Sequence, residues 1–352
     1  MIEHSNPTLG IKEKQALSKL IDQNYIAEGN QVHCFENELS KYIGVKGGVA
    51  TSTGTLGLHL ALSALDLKKS DEVIIPSYTC RSVLNAVLYS SLKPVLCDVD
   101  FENYNISFSE AARVLTKKTK AIIIPHMFGC PVSINEFKKL KLHIIEDCAH
   151  SIGAEYKGHK VGSMGELSLF SFEGTKYIVA GEGGMVLAGS QKLLKRLKNL
   201  KEPNSNDHLI KYTYRMSDLQ AAVGRVQLGQ LETFIRKRRS IAKIYDNAFK
   251  SYPILLPKTQ RDSKHIYQRY MIQIPGNINT FMKKCLKKGI KVKQPVKPYA
   301  LHEYLGLPPK DFPNTEHIMR SAVSLPIYPS LTNKQVNFIT LTIRGLLEDH
   351  AR

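Results

Sequence analysis

The chain has 352 residues, 43% of them hydrophobic and 23% charged, with 23 glycines and 16 prolines. This composition excludes disordered, collagen-like and low-complexity classes, and the length fits one large domain plus a smaller one at roughly 150 residues per domain. Forty-nine Lys and Arg against 31 Asp and Glu leave a net charge of +18, which raises two possible partners: nucleic acid, or a ligand that carries phosphate.

The basic clusters, Lys192 to Lys201, Arg236 to Arg239 and Lys283 to Lys293, fall on amphipathic helical stretches. They lack the interleaved aromatics that stack bases, so they read as solvated helix faces and no nucleic-acid partner is expected. No apolar run approaches the roughly 20 residues of a membrane helix; Ala121 to Ile124 is strand-sized. The N-terminus, Met1-Ile-Glu-His-Ser-Asn, has neither a basic nor an apolar leader region, so a cytoplasmic protein is expected. Six cysteines (Cys34, Cys80, Cys97, Cys130, Cys148, Cys285) stand singly, without CxxC or metal-type spacing. They read as reduced and mostly buried thiols, with neither a disulfide framework nor a metal centre.

In chain order, Leu17 to Ile26 predicts a first helix. Thr51-Ser-Thr-Gly-Thr is a small-residue turn running into a helix over Leu56 to Leu65. Short apolar strands then alternate with helices: Val73-Ile-Ile, a helix over Val83 to Tyr89, Pro94-Val-Leu-Cys, Ala121 to Ile124, His143-Ile-Ile and Ser168 to Phe172. That alternation predicts a mostly parallel sheet covered by helices on both faces. Helical patterning from Ser217 to Lys250 closes a large domain, residues 1–250. Pro253 and Pro257 mark a boundary, and residues 251–352 read as a smaller α+β domain, with a strand near Tyr270 to Ile274 and helices near Thr280 to Lys288 and Asn333 to Leu347.

Four stretches carry residue types that suggest chemistry. Thr53-Gly54-Thr55-Leu56 opens a helix, where free N–H groups and the helix dipole favour an anion, or where a threonine is only an N-cap. Glu146 and Asp147 end an apolar strand, the sheet edge that faces ligands in open α/β folds; helix capping is the plain alternative. Lys176 follows Gly174-Thr175 past a buried strand, as an exposed turn lysine or a desolvated amine suited to Schiff-base chemistry. Gly181-Glu-Gly-Gly admits close backbone approach to a ligand or makes a hairpin turn. Walker A, GxGxxG and GxSxG signatures are absent, which removes the usual marks of ATP, NAD and serine-hydrolase chemistry.

The order of these pieces is more specific than any one of them. Asp147 lies about 30 residues before Lys176, downstream of the Ser-Thr-Gly-Thr helix start. Around them stand Asp71-Glu-Val-Ile-Ile-Pro-Ser-Tyr-Thr, Lys93-Pro-Val-Leu-Cys-Asp-Val-Asp, Ile124-Pro-His-Met-Phe-Gly and Ile145-Glu-Asp-Cys-Ala-His-Ser-Ile-Gly. Phe170-Ser-Phe, Gly181-Glu-Gly-Gly-Met-Val, Tyr214-Arg-Met-Ser-Asp-Leu-Gln and Ser324-Leu-Pro-Ile-Tyr-Pro follow. Together they resemble the fold-type-I pyridoxal-phosphate enzymes, and within them the DegT/DnrJ/EryC1/StrS sugar aminotransferases, over nearly the whole chain.

The resemblance implies pyridoxal 5'-phosphate as cofactor, attached at Lys176, which also moves the proton between carbon and nitrogen. It implies that Asp147 pairs with the pyridinium nitrogen and that His150 bonds the ring hydroxyl. The phosphate would sit on the N–H groups of Thr55 and Leu56 and the hydroxyls of Ser171 and Thr55, beside Gly54. Two positions depart from the family pattern. Cys80 stands where an aromatic commonly stacks on the ring, a contact worth about 0.5–1.5 kcal/mol beyond burial. Thr213 stands where an asparagine often reaches the neighbouring subunit's phosphate, and its side chain is shorter.

The expected function is transfer of an amino group from glutamate to a nucleotide-linked keto sugar, in surface-polysaccharide or natural-product sugar biosynthesis, by a homodimer without a metal. The alternatives are a dehydratase using the same cofactor, a cyclitol or other non-nucleotide acceptor, and a non-catalytic relative that binds cofactor or sugar. In the dehydratase branch histidine replaces the lysine, so Lys176 opposes it; the intact Lys176–Asp147 pair opposes the non-catalytic relative.

Overall fold

The computed structural model of the protein describes residues 1–202 and 210–351. Two helices open it, α1 (Ile11–Asp22) and α2 (Asn30–Ile43). The first begins at Ile11 instead of the expected Leu17, because the Glu13 side chain reaches back to accept the Gly10 N–H at 2.8 Å and closes the first turn. It ends at Asp22, ahead of the expected Ile26, and Asn24 then takes a left-handed φ of 53°. The second helix, not anticipated, stops at Gly44, whose φ of 87° suits a residue without a side chain.

The large unit continues through β1 (Gly47–Thr51), α3 (Gly54–Ser63), β2 (Glu72–Pro76), α4 (Arg81–Tyr89), β3 (Lys93–Cys97), α5 (Phe108–Arg113), β4 (Thr119–Pro125), α6 (Ile134–Phe137) and β5 (His143–Asp147). A short hairpin, β6 (Glu155–Tyr156) and β7 (His159–Lys160), precedes β8 (Leu167–Ser171) and β9 (Gly184–Ala188). Helices α7 (Gln191–Lys201) and α8 (Asp218–Phe249) complete it. The seven-stranded sheet has the order β1-β9-β8-β5-β4-β2-β3. Every pairing from β3 through β8 is parallel, while β9 runs antiparallel to both β8 and β1. The doubly reversed edge therefore leaves β1 pointing the same way as the parallel strands.

Alternate residues of the central strands enter different cores, as a strand's two-residue period requires. Ala121 and Ile123 pack with Val73, Ile75 and Ile145 on one face. Ile122 and Ile124 pack with Ile74 and Ile144 on the other. The sheet is covered on both faces, which is why its strands read as unbroken apolar runs.

The C-terminal part has β10 (Ser263–Lys264) against β6, β11 (Tyr270–Gln273) antiparallel to β12 (Ala322–Leu325), and helices α9 (Ile278–Lys287), α10 (Leu301–Tyr304), α11 (Pro313–Ser321) and α12 (Asn333–Ala351). Its core takes in Ile241, Tyr245 and Phe249 from the far end of α8 together with Tyr270, Phe281, Val323 and Ile339. The chain's first residues join it: Ile2 pairs with Ile290, and His4 Nε2 lies 2.8 Å from Ser324 Oγ. Apolar and polar contacts join this part to the sheet: Leu301 and Phe312 enter the core on one sheet face, and Met271, Val296 and Ile318 pack with Tyr78, Tyr104 and Phe128. Asp98 accepts the Asn314 and Thr315 N–H groups at the start of α11, and Ser77 Oγ meets His302 Nδ1 at 2.7 Å. Among the described residues no helix is long and apolar enough to cross a membrane.

Two buried histidines set an acid limit on this fold. Burial, with the positive charges of Arg269, Lys293 and Arg238, pushes His4 from 6.5 down to about 3. Burial and Arg239 do the same to His265, also to about 3, and its Nδ1 accepts the Tyr267 N–H. Both rings stay neutral in the fold but protonate near 6.5 when unfolded, so the unfolded chain binds more protons below that pH. Stability present above pH 6.5 should therefore fall as pH drops from about 6.5 toward 5, by up to about 1.4 kcal/mol per pH unit for each ring. Urea midpoints at pH 7, 6 and 5 measure this, and a constant midpoint would contradict it.

Candidate active site

The shared strand direction brings six C-terminal ends, those of β1, β2, β3, β4, β5 and β8, to one edge of the sheet. Ligands in open α/β sheets bind at that edge. Five of these ends deliver side chains to one cavity of about 310 Å³. The segment after β1 supplies Thr53, Gly54 and Thr55; that after β2, Thr79 and Cys80; that after β4, His126 and Met127. Asp147 and His150 come from the end of β5, Ser171 and Lys176 from the end of β8 and the turn beyond it.

Seven of the nine residues chosen from sequence thus meet in one place: Gly54, Thr55, Cys80, Asp147, His150, Ser171 and Lys176. Leu56 does not line the cavity. Its N–H donates to Thr53 Oγ1 at 3.2 Å, so the helix cap has already engaged the donor expected to hold phosphate. The N–H groups of Gly54 and Thr55, at the first two positions of α3, have no acceptor in the helical ladder and remain to bind an anion. Thr213 is exposed on the coil before α8, outside its own chain's cavity. At Gly54, a β-carbon would lie 3.1 Å from both Cβ and Oγ of Ser171. Glycine there lets the helix start and the end of β8 close around a small group.

The cavity's charges are held out of their ordinary ranges. The Lys176 side chain makes no hydrogen bond or ion pair among the described residues, and the turn from Glu173 presents it: the Lys176 backbone N–H donates to Glu173 O at 2.9 Å, while Glu173 Oε2 caps Thr175. Burial lowers the Lys176 pKa, against the pull of Cys80, Asp147 and Glu173, and nearby Arg269 lowers it further. Burial raises Asp147, countered by the Ala149 N–H at 3.0 Å and by the nearby Lys176 amine. His150 is driven well down by burial, then by Lys176 and Arg269, and stacks on Phe128 with centroids 5.8 Å apart and planes at 15°. The amine is thereby made a better nucleophile, and the carboxylate is left short of a cation.

Glu146 shows the opposite economy. As Asp147's neighbour on the strand it points to the other face. It is fully buried, yet four donors hold it: His126 Nε2 at 3.0 Å and the N–H groups of Gly162, Met164 and Gly165 at 2.9, 2.8 and 2.6 Å. Burial opposes its charge, but these bonds and the His126 ring outweigh it and keep the pKa low. His126 Nδ1 accepts the Val132 N–H at 2.9 Å, so the ring's proton sits on Nε2, facing Glu146. His126, Glu146 and Cys148 bring possible metal ligands together, but the histidine nitrogens and glutamate oxygens are already engaged. Glu146 is therefore an anchor for the turn at residues 162–165. His126 and Thr79 also line the cavity and were not singled out from sequence; Glu173 and Glu182 line it from the stretches around Lys176 and Gly181 that were. The reasoning that found Asp147, a polar residue just past an apolar strand, finds His126 as well.

The chain belongs to the DegT/DnrJ/EryC1/StrS aminotransferase family, whose sequence profile matches residues 7–344. It is therefore a pyridoxal-phosphate-dependent sugar aminotransferase. It is 34% identical to a GDP-perosamine synthase of Escherichia coli O157:H7, over 97% of this chain and 98% of that one. It is 31% identical to a UDP-N-acetyl-3-dehydro-alpha-D-glucosamine 3-aminotransferase of Acidithiobacillus ferrooxidans, over 94% and 92% of the two chains. Among solved structures it superposes on DesV of S. venezuelae, determined in complex with a ketimine intermediate, with a TM-score of 0.91 and 27% identity over 96% of this chain and 94% of that one.

The two neighbouring carboxylates should separate cleanly by mutation. Asp147→Asn removes charge at the cavity with little effect on packing, so the single-turnover rate with an amino donor should fall roughly 10²-fold or more, about 3 kcal/mol, at nearly unchanged melting temperature. Glu146→Gln turns an amide N–H₂ toward His126 Nε2 and the Gly162 N–H, both donors, and should cost about 1–3 kcal/mol of stability with a much smaller rate effect. Equal rate losses in folded protein would show that the wrong carboxylate was chosen.

Proposed function

We propose that the protein transfers an amino group from glutamate to the keto carbon of a nucleotide-linked sugar, with Lys176 and Asp147 as its catalytic residues. The observation that carries this reading is the unpartnered Lys176 amine sharing with Asp147 a cavity lined by the N-terminus of α3. The relatives' names support the acceptor class: one concerns a GDP-linked sugar, the other a UDP-linked one aminated at C3.

The residues present fit pyridoxal phosphate. The Gly54 and Thr55 N–H groups with the Thr55 and Ser171 hydroxyls would hold its phosphate, in the cradle that a β-carbon at Gly54 would fill. Asp147, short of a cation, would keep the ring nitrogen protonated, and His150 would meet the ring's oxygen substituent. When bound, the cofactor supplies an electron sink for the carbon that carries the amine. Lys176, its pKa lowered, gives up its own proton more readily, so its Nζ can take the proton from that carbon of the donor and return it to the acceptor carbon. Cys80 borders the same space and leaves open room that an aromatic would fill.

A homodimer belongs to the same reading. Thr213 stands exposed between Tyr212 and Tyr214, which pack with each other and with His59. Ile210 nearby is 75% exposed and Tyr89 59%. An exposed aromatic and apolar surface of this kind suits a second copy, and Thr213 would then approach the other subunit's cavity. Residues 1–250 would form the cofactor-binding unit and 251–352 the smaller one, with action in the cytoplasm.

Borohydride reduction should fix the cofactor on the peptide containing Lys176, and Lys176→Ala should abolish turnover while phosphate contacts retain some cofactor; label on another lysine would refute the assignment. Co-refolding Lys176→Ala chains with chains altered at Thr213 and Tyr214 should regenerate one working site per mixed dimer. An active monomer by size measurement would discard the shared site and leave the chemistry standing.

A further inference from the structure

At about 310 Å³ the cavity is near the lower limit for pockets that enclose one small ligand, about 300–1,000 Å³. Its walls are taken up by the residues that would hold the cofactor and the reacting carbon. A nucleoside diphosphate attached to the sugar must therefore lie outside the mouth.

A ledge of suitable chemistry borders that mouth. Arg81, the first residue of α4, stands between Cys80 and Ser82, which both line the cavity. Its own side chain is exposed, makes no ion pair among the described residues, and lies with its guanidinium carbon 4.4 Å from the centre of the Tyr304 ring. Tyr304 meets Tyr299 edge-on, with centroids 5.6 Å apart and planes at 85°, and Tyr299 is 52% exposed.

The ledge is held to the cavity wall. The Leu301 N–H donates to Ser77 O at 2.9 Å, and Ser77 Oγ meets His302 Nδ1. Ser77 lies just ahead of Thr79 and Cys80 on the segment that lines the cavity. Beneath it, His302 stacks on Phe312 at 4.7 Å and reaches Glu316 at 3.2 Å. The acid nearest in sequence, Glu303, caps the Ala300 N–H.

We propose that this ledge seats the nucleoside diphosphate of the acceptor, Arg81 engaging the diphosphate and Tyr299 stacking on the base. The proposal rests on the nucleotide-linked acceptor argued above. A guanidinium matches phosphate oxygens with a fork of donors and is only weakly hydrated. An exposed tyrosine beside it offers a flat surface to a base, and stacking tolerates any base because each has a π face. The ledge grips the class of ligand without choosing among bases.

The test titrates the cofactor-loaded protein calorimetrically with GDP, UDP and dTDP as probes. Tyr299→Ala should weaken binding about tenfold or more, and Tyr299→Phe should restore it. Arg81→Gln should weaken binding comparably and flatten its dependence on salt. Phe338→Ala, an exposed aromatic on α12, should bind as wild type does. In steady state the Tyr299 and Arg81 variants should raise the KM of the keto sugar more than they lower kcat. Wild-type affinity in both Tyr299→Ala and Arg81→Gln would overturn the proposal. So would failure of the wild type to bind any of the three nucleotides while it still consumes glutamate. A wild type that does not react with glutamate at all would instead remove the aminotransferase reading beneath it.

Discussion

The common direction of six strands is the constraint on which the site depends. Residues at the ends of β1, β2, β4, β5 and β8 are scattered from Thr53 to Lys176 in sequence, yet the sheet delivers all of them to one edge. The antiparallel strand β9 is part of this. Inserted between β1 and β8, it reverses direction twice, so that α3 begins at the same edge as Asp147 and Lys176. A sheet with β1 beside β8 in the opposite sense would place the helix N-terminus at the far end, away from the lysine.

Within that frame, burial assigns different work to similar groups. Glu146 and Asp147 are adjacent carboxylates on one strand, both inaccessible to bulk water. Four donors satisfy Glu146 and lower its pKa; one backbone N–H serves Asp147, whose pKa rises. The satisfied group holds the fold around it, and the underserved group has capacity left for a ligand. Lys176 follows the same rule with opposite sign: buried, unpaired and pushed down, it is an amine prepared to react. Unfavourable electrostatics at these two residues are tolerated because the strands and the Glu173–Lys176 turn hold them in place.

The C-terminal part contributes through seams that are both polar and apolar. Asp98 on the start of α11 and Ser77 on His302 join it to the sheet, beside the apolar packing of Leu301 and Phe312 in the sheet core and of Met271 and Ile318 against Tyr78 and Phe128. These seams bring α10, with Tyr304, and the adjoining Tyr299 to the cavity mouth. They extend the site beyond the pocket that encloses the reacting atoms.

By itself the sequence determined the class of fold, the alternation of buried strands and helices, and the pairing of Asp147 with Lys176 as candidate reactive groups. The strands were legible as local pattern, apolar runs that only a two-faced sheet can bury; Asp147 and Lys176 were paired by the family resemblance, since each alone reads equally as a helix cap or an exposed turn lysine. Only tertiary structure decided the rest. Helix α2 escaped notice, and α1 begins earlier than its hydropathy spacing suggests, because Glu13 caps it through a side-chain bond. The Leu56 N–H was expected to be free, but Thr53 caps it, and a cap is a matter of rotamer and distance that residue identity leaves open. Glu146 and Asp147 look interchangeable as letters. Their separation came from which backbone N–H groups the turn at residues 162–165 folds onto one of them, a long-range contact that local spacing does not encode.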